Sequence, residues 1–218
     1  MWSTASSAAA ILISALPESI AGPAGTLQVL TELPDGEPQA VAVICHPHPL
    51  HGGSLNNKIV HQLARTFRGM GAVSVRFNFR GVGDSKGNYD QGYGELQDLL
   101  AVVAWATQHW PGLPLWLGGF SFGGFIAVQA ATELNPQRLV TVAPAVNYFP
   151  DQPVTLASTD WLLIQGDADD IVPWSAVQAW VLRLSTPPAL TLISGASHFF
   201  HGRLNELRQA AIDHYPPM

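Results

Sequence analysis

The chain has 218 residues, of which 47% are hydrophobic and 12% are charged, and its formal net charge is -6. This composition is typical of a globular enzyme and argues against a disordered chain or a coiled coil. The acidic balance provides no basic patch, so we expect neither nucleic acid nor a membrane as a partner. Cys45 is the one cysteine, which excludes an internal disulfide and every metal site built from several cysteines.

The N-terminal stretch contains a short apolar piece that invites comparison with an export signal. It carries no Lys or Arg, because the first basic residue of the chain is Lys58. An export signal needs a positive leading segment and a transit peptide needs arginines. No run approaches the roughly 18 apolar residues of a membrane span. We therefore predict a cytoplasmic protein with a single domain over residues 1–218.

Short apolar runs and helical patterns follow one another along the chain. Two strands are predicted first, at residues 9–15 and 25–33, as an antiparallel sheet edge joined through a turn at Gly22-Pro23. Apolar runs predict later strands at 40–45, 73–79, 115–120, 139–143, 161–165 and 189–193. Periodic apolar positions predict helices at 55–67, 94–109, from Ser121 to 134, at 175–184 and at 203–214.

The run at residues 40–45 is continuously apolar rather than alternating. This pattern indicates a strand covered on both faces, as in a parallel sheet. Strands separated by helices of roughly ten to fifteen residues predict an α/β fold with a doubly wound, mostly parallel sheet flanked by helices. In such sheets the ligand binds beyond the carboxyl ends of the strands.

One strand end carries a serine between glycines, in Gly119-Phe120-Ser121-Phe122-Gly123. The spacing places Ser121 on a strained turn between a strand and a helix, where a nucleophile is exposed. The free N–H groups at the start of that helix would stabilise an oxyanion, with Phe122 as one donor. The other interpretation is a glycine-rich turn with an incidental serine.

Two other strand ends supply an acid and a base. Aspartates follow the strand at 161–165, and Ser197-His198 follows the strand at 189–193. A serine hydroxyl needs a base within hydrogen-bond reach, and that base needs a carboxylate to fix its tautomer. His198 can be the base. Three carboxylates are candidates for the acid, namely Asp167, Asp169 and Asp170.

These motifs together resemble the α/β hydrolases over nearly the whole chain, and in particular the small bacterial serine hydrolases without a lid. The resemblance also includes the residues 46–49, 80–85 and 166–173. It implies a catalytic triad of Ser121, His198 and Asp169, with no cofactor and no metal. It also implies a second oxyanion donor from residues 47–53. Because Pro47 and Pro49 lack an N–H, we expect the backbone N–H of His48 to be that donor.

Other interpretations compete for some of these residues. The histidines at 46, 48 and 51 resemble the metal-binding signature of metallo-β-lactamase-like hydrolases, which wants an aspartate where this chain has Leu50. The pair Gly81 and Gly83 resembles part of a dinucleotide-binding loop, but the third glycine is misplaced. We expect Arg80 to form an ion pair in the scaffold and Cys45 to be a small core residue.

The function expected from the resemblance is that of a serine hydrolase that cleaves carboxylic esters of small or medium acyl groups through an acyl-enzyme. A serine peptidase or amidase would use the same triad, and a non-enzymatic interaction protein is a third possibility. The connection between the strands ending at 143 and beginning at 161 is too short for a helical cap, so we expect an open site. Aromatic residues near the strand ends predict an apolar acyl pocket: Phe120, Phe122, Tyr148, Phe149, Trp174, Phe199 and Phe200.

Overall fold

The computed structural model describes residues 16–148 and 154–215. Its strands are β1 (Leu16–Gly22), β2 (Gly25–Glu32), β3 (Ala40–Cys45), β4 (Ala72–Phe77), β5 (Leu115–Phe120), β6 (Arg138–Val142), β7 (Asp160–Gly166) and β8 (Ala189–Ile193). Its helices are α1 (Lys58–Gly69), α2 (Tyr93–His109), α3 (Phe122–Leu134), α4 (Trp174–Val181) and α5 (Leu204–His214). Short 3-10 turns lie at Pro49–His51 and Val146–Tyr148.

The strands form one sheet in the order β1-β2-β4-β3-β5-β6-β7-β8. The first two pairings, β1 with β2 and β2 with β4, are antiparallel, and the pairings from β4 through β8 are parallel. This confirms the predicted α/β sheet with an antiparallel edge. The chain runs outward from β3 to β4 and then returns to place β5 on the other side of β3. The strand order therefore reverses between β3 and β5, which is where ligands bind in such sheets.

Both faces of the central strands are buried, as the uninterrupted apolar run of β3 predicts. Val41, Val43 and Cys45 face a core that also holds residues of α2, α3 and α4. Ala40, Ala42 and Ile44 face a second core shared with α1 and α5. The period-two alternation of strand side chains thus sends neighbouring apolar residues to opposite faces of the sheet.

The antiparallel edge differs in position from its prediction. The predicted strand at residues 9–15 lies outside the described residues, whereas β1 follows it and pairs with β2 around Pro23 and Ala24. Among the β1 side chains that the structure describes, at residues 18–22, only Ile20 is buried. An edge strand with so few apolar contacts has no clear apolar pattern, so the sequence did not reveal it.

Within residues 16–148 and 154–215, no helix combines the length and the apolar composition that crossing a membrane requires. Between β6 and β7 the described residues form no helix longer than the Val146–Tyr148 turn. The described residues of this connection therefore place no helical layer over the carboxyl ends of β5, β6 and β7.

Candidate active site

Ser121 lies on a sharp turn between β5 and α3. Its backbone has φ 54° and ψ -118°, a conformation that L-residues avoid and that costs on the order of 1–3 kcal/mol. The Ser121 N–H donates to the Val142 carbonyl at 2.9 Å, which fixes the turn to β6. A Cβ at Gly119 would overlap the Gly123 carbonyl, and one at Gly123 would overlap the His46 carbonyl. Both glycines are therefore required by the close approach of backbone.

Three side chains form a hydrogen-bonded chain at this point. His198 Nδ1 lies 2.8 Å from Asp169 Oδ2, and His198 Nε2 lies 3.1 Å from Ser121 Oγ. An ionised carboxylate can only accept, so Nδ1 carries the proton and donates to Asp169. Nε2 is then free to accept the Ser121 hydroxyl proton, which is the arrangement a general base requires.

Asp169 is held in place by donors other than His198. Its Oδ1 accepts the N–H groups of Ile171 at 2.9 Å and Val172 at 2.7 Å. Its Oδ2 also accepts from Gln165 Nε2 at 3.0 Å. Gln165 was missed by sequence reasoning, although a buried amide at the end of an apolar strand is a signal that could have found it. These bonds hold the Asp169 carboxylate in place independently of its bond to His198.

The other two candidate carboxylates point elsewhere. Asp167 accepts the Gly195 N–H through Oδ1 at 2.6 Å, which ties the turn after β7 to the turn after β8. Asp170 is exposed to solvent. Of the three aspartates, only Asp169 makes contact with His198 among the hydrogen bonds of the described residues.

The two predicted oxyanion donors belong to neighbouring segments. The N–H of Phe122 opens α3, and the N–H of His48 lies in the loop of residues 47–53, which we call the β3 loop. Neither N–H donates to another group within the part of the chain that the structure describes. The rings of His48 and Phe122 lie 5.0 Å apart, so the β3 loop and the start of α3 are in contact.

His46 holds the start of the β3 loop through hydrogen bonds of its ring. Its Nε2 accepts the Phe79 N–H at 3.0 Å, and its Nδ1 donates to the Pro47 carbonyl at 2.6 Å. Burial lowers the pKa of His46 to about 4, so the ring is neutral near pH 7. Both nitrogens are used within the protein, which leaves His46 unable to act as the metal ligand of the alternative interpretation.

The loop of residues 80–85 is also part of the scaffold. Arg80 donates to Asp98 through Nε at 3.0 Å and Nη2 at 2.8 Å. Ser85 Oγ donates to the Asn78 carbonyl at 2.6 Å and accepts the Gln28 N–H at 2.9 Å. These bonds join the loop to α2 and β2. The expected role of Arg80 as a scaffold ion-pair residue is thus observed in the structure.

Comparison with known proteins identifies the family. The family model described as "Hydrolase_4: Serine aminopeptidase, S33" matches residues 36–159, more than half of the chain. The chain belongs to this family. A structure of an alpha-beta serine hydrolase homologue from Coxiella burnetii is 46% identical, with a TM-score of 0.88 over 92% of this chain and 97% of that chain. The family places this chain among the α/β hydrolases.

Two further family relatives are informative. A serine hydrolase without a lid from Xanthomonas campestris is 41% identical, with a TM-score of 0.88 over 92% of this chain and 93% of that chain. The human monoglyceride lipase is 29% identical over 128 residues, which are 56% of this chain and 40% of that protein. The chain is therefore a serine hydrolase of α/β fold without a lid, as the motifs predicted.

The aromatic residues expected at the pocket have different surroundings. Phe120 and Phe200 are fully buried in the core on the α1 and α5 side, and Trp174 packs against the opposite core. Phe149 lies outside the described residues. Tyr148 and Phe199 are 37% and 47% exposed, so they can contact a substrate. Most of the described aromatic residues of the predicted pocket therefore pack in or against the core and are not free to contact a substrate.

Two cavities include in their linings a residue that contacts the site: Tyr148, whose ring contacts Phe122, and Phe199, whose ring contacts His198. The first, which we call the aromatic cavity, has a volume of about 280 Å³ and is lined by Gln91, Gly92, Tyr93, Leu96, Phe125, Gln129 and Tyr148. The second, which we call the cationic cavity, has a volume of about 320 Å³, and its lining includes Gly52, Ser54, Asn56, Lys58, Phe199 and His201. Most of these residues were missed by sequence reasoning because they come from segments far apart in the chain.

Ring contacts connect the aromatic cavity to the nucleophile. Phe122, the residue after Ser121, lies 6.1 Å from Phe125 and 5.7 Å from Tyr148 between ring centroids. His48 extends the same cluster from the β3 loop, with its ring 6.3 Å from that of Tyr148. Apolar groups thus continue from the start of α3 into the aromatic cavity.

Proposed function

We propose that this protein hydrolyses carboxylic esters of small or medium acyl groups through an acyl-enzyme on Ser121. His198 acts as the general base and then the general acid, and Asp169 orients it. The observation that carries this proposal is the continuous hydrogen-bonded chain from Asp169 through His198 to Ser121 at the carboxyl ends of the strands. A nucleophile, a base and an orienting acid in this geometry are the parts that acyl transfer needs.

In the first half-reaction His198 Nε2 takes the hydroxyl proton while Ser121 Oγ bonds to the ester carbonyl carbon. The carbonyl oxygen becomes an oxyanion, for which we propose the N–H groups of Phe122 and His48 as donors. Collapse breaks the bond to the alcohol oxygen, and His198 gives that oxygen its proton. Water then attacks the acyl-enzyme by the same route, releasing the carboxylic acid and restoring the Ser121 hydroxyl.

The surroundings of the triad favour esters over aminopeptidase substrates. An aminopeptidase must bind the α-ammonium group of its substrate, which calls for a carboxylate. Among the described residues that line the two cavities, none is Asp or Glu, and one is Lys58. A lysine would repel an ammonium group. The similarity to a monoglyceride lipase, whose name describes an ester substrate, also supports this choice.

The family name gives the second candidate, a serine aminopeptidase or amidase. Two substrates separate the candidates: p-nitrophenyl butyrate is a simple ester, and alanine p-nitroanilide is an amide with the α-ammonium group that an aminopeptidase must bind. We expect turnover of simple p-nitrophenyl butyrate to exceed that of alanine p-nitroanilide by at least about 100-fold in kcat/KM. A higher kcat/KM for the anilide would replace the esterase with the amidase.

The nucleophile itself is tested by Ser121→Ala. We expect kcat for p-nitrophenyl butyrate to fall by about 10⁴-fold or more, and labelling by a fluorophosphonate probe to be lost. Ser175→Ala, at an exposed position in α4, is the matched control and should keep both. Turnover near the wild-type rate in Ser121→Ala would remove Ser121 as the nucleophile. A wild-type protein that neither reacts with the probe nor hydrolyses an ester would favour an interaction protein.

A further inference from the structure

The cationic cavity contains a positive charge at an energetically unfavourable place. Lys58 is the first residue of α1, and that helix has no acidic residue in its first turn. A helix N-terminus carries a partial positive charge, so a lysine there is opposed by the helix dipole, typically by 0.3–1 kcal/mol. Positions that break a local rule without a structural gain are often functional.

Among residues 16–148 and 154–215, Lys58 also gains no compensating ion pair. Within the part of the chain that the structure describes, no carboxylate forms a salt bridge with it. The chain has only two lysines, Lys58 and Lys86. By contrast, Arg68, Arg76 and Arg80 each pair with a carboxylate. Lys58 is exposed and belongs to the lining of the cavity.

Other donors in the cavity could assist the charge. His201 contributes an imidazole, Asn56 an amide and Ser54 a hydroxyl, all of which can donate a hydrogen bond to an oxygen ligand. An ammonium with several neutral donors suits an oxyanion and does not suit an apolar chain. The chemistry of the lining therefore points to a carboxylate or a phosphate.

Phe199 places this cavity next to the reacting groups. Its ring lies 5.2 Å from the His198 ring and 5.8 Å from the His201 ring between centroids. On the opposite side, Gly52 of the β3 loop belongs to the same lining. A group bound in the cavity would thus lie beside both the proposed base and the loop that carries the His48 donor.

We propose that the cationic cavity binds an oxyanion group, a carboxylate or a phosphate, on the ester substrate. This inference rests on the proposed function and names a substrate class for it. Lys58 supplies the charge and His201 a hydrogen bond, and the rest of the substrate reaches Ser121 past Phe199. The protein consequently prefers acidic esters to neutral esters of the same size.

Matched substrate pairs test the preference. The pairs are p-nitrophenyl hydrogen glutarate with p-nitrophenyl valerate, 4-carboxyphenyl butyrate with its methyl ester, and butyryl glycerol phosphate with monobutyryl glycerol. The first pair places a carboxylate on the acyl side of the ester. The second pair places a carboxylate on the alcohol side, and the third pair places a phosphate there. We expect at least one acidic ester to have the higher kcat/KM in the wild-type protein, and the favoured pair identifies the source of the oxyanion.

Variants then assign the preference to the cavity. For the favoured pair, Lys58→Gln should lower the ratio of acidic to neutral kcat/KM by about 3- to 10-fold, the usual range for an exposed ion pair with one added hydrogen bond. Lys58→Gln with His201→Gln should lower it further. Lys86→Gln removes the other lysine, which follows the loop of residues 80–85, and should leave the ratio unchanged.

Two results would overturn the inference while leaving the esterase intact. One is a wild-type protein that prefers the neutral ester in all three pairs, and the other is a ratio that the double variant does not alter. Failure of the proposed function would give a different result, because neither the wild-type protein nor any of the variants would then hydrolyse an ester. Binding of glutarate or inorganic phosphate to Ser121→Ala, followed by NMR shifts of the Gly52 and Lys58 amides, tests the cavity without turnover, and absence of such shifts for both anions would also count against it.

Discussion

The aromatic cavity and the cationic cavity differ in how they are built. The aromatic cavity is formed by α2 and α3 together with Tyr148, and its rings contact one another and Phe122. The cationic cavity lies between the start of α1 and the residues after His198, and its lining includes polar side chains and Lys58. One cavity offers apolar surface and the other offers charge, and each has a ring that contacts a residue of the site, Phe122 or His198.

Under the proposed function, the triad and the β3 loop carry out the reaction, and the two cavities select the substrate. The triad and the β3 loop are held by buried hydrogen bonds, such as those of Asp169 and His46. The cavities are lined by exposed or half-buried side chains such as Tyr93 and Lys58, which can be replaced with less effect on the fold. Substitutions in the triad should therefore alter all substrates equally, and substitutions in one cavity should alter only the substrates it binds.

After Ser121→Ala, the largest effect expected is that of Asp169→Asn, which should lower the turnover of the substrates of both cavities. Loss of the carboxylate allows the wrong tautomer of His198, so kcat should fall by about 10³- to 10⁴-fold. The fall should be the same for acidic and neutral esters. Asp170→Asn is the matched control, because Asp170 is an exposed neighbour. A greater loss in Asp170→Asn or Asp167→Asn would reassign the acid.

Acidic pH should lower the free energy of unfolding through His46, the buried histidine that precedes the β3 loop. The pKa of His46 is about 4 in the folded protein and about 6.5 in the unfolded chain. Because the folded pKa is lowered, the unfolded state binds the extra proton first, and stability falls as the pH drops from about 6.5 towards 4. From pH 7 to pH 5 this group should lower the free energy of unfolding by about 2 kcal/mol.

Urea unfolding of the wild type and of His46→Gln at pH 7 and pH 5 measures that contribution. The variant should lose less stability over this interval than the wild type, whereas His109→Gln, at the exposed end of α2, should behave like the wild type. An equal loss in all three proteins would show that the buried ring is not the group that titrates.

Filling the aromatic cavity should change acyl-chain length preference alone. Leu96→Trp adds volume to the cavity lining, so kcat/KM for p-nitrophenyl octanoate should fall by about 10-fold relative to the butyrate, the effect of a few excluded methylenes. The ratio of acidic to neutral esters should not change. Leu182→Trp, at a position that is 80% exposed, is the control. A change in the acidic preference instead would mean that the two cavities are not independent.

Salt should produce the smallest effect, and only on the cationic side. Raising the ionic strength from about 0.05 M to 0.5 M shortens the screening length to a few ångströms. The preference for the acidic ester of the favoured pair should then fall by about 3-fold, while the octanoate to butyrate ratio stays the same or rises. A salt-independent acidic preference would argue that it does not come from the exposed ammonium of Lys58.

The triad motifs could be predicted from the sequence because each motif follows a strand, and an apolar run predicts each of those strands. Ser121 and His198 needed no choice between neighbours. Asp169 did, since three aspartates occur within four positions; the resemblance implied Asp169, and the fold shows that Asp169 contacts His198. The acyl pocket was predicted less well, because apolar periodicity does not distinguish a core ring such as Phe120 from an exposed ring such as Phe199.

By itself, the sequence determined the order of strands and helices, the α/β class and the strained serine turn, because these depend on residues close together in the chain. Tertiary structure decided the position of the β1 edge and brought Asp169 into contact with His198. It also brought Lys58 and His201 into the lining of one cavity. Such contacts join residues far apart in the chain, and no local propensity or spacing encodes the distance between them.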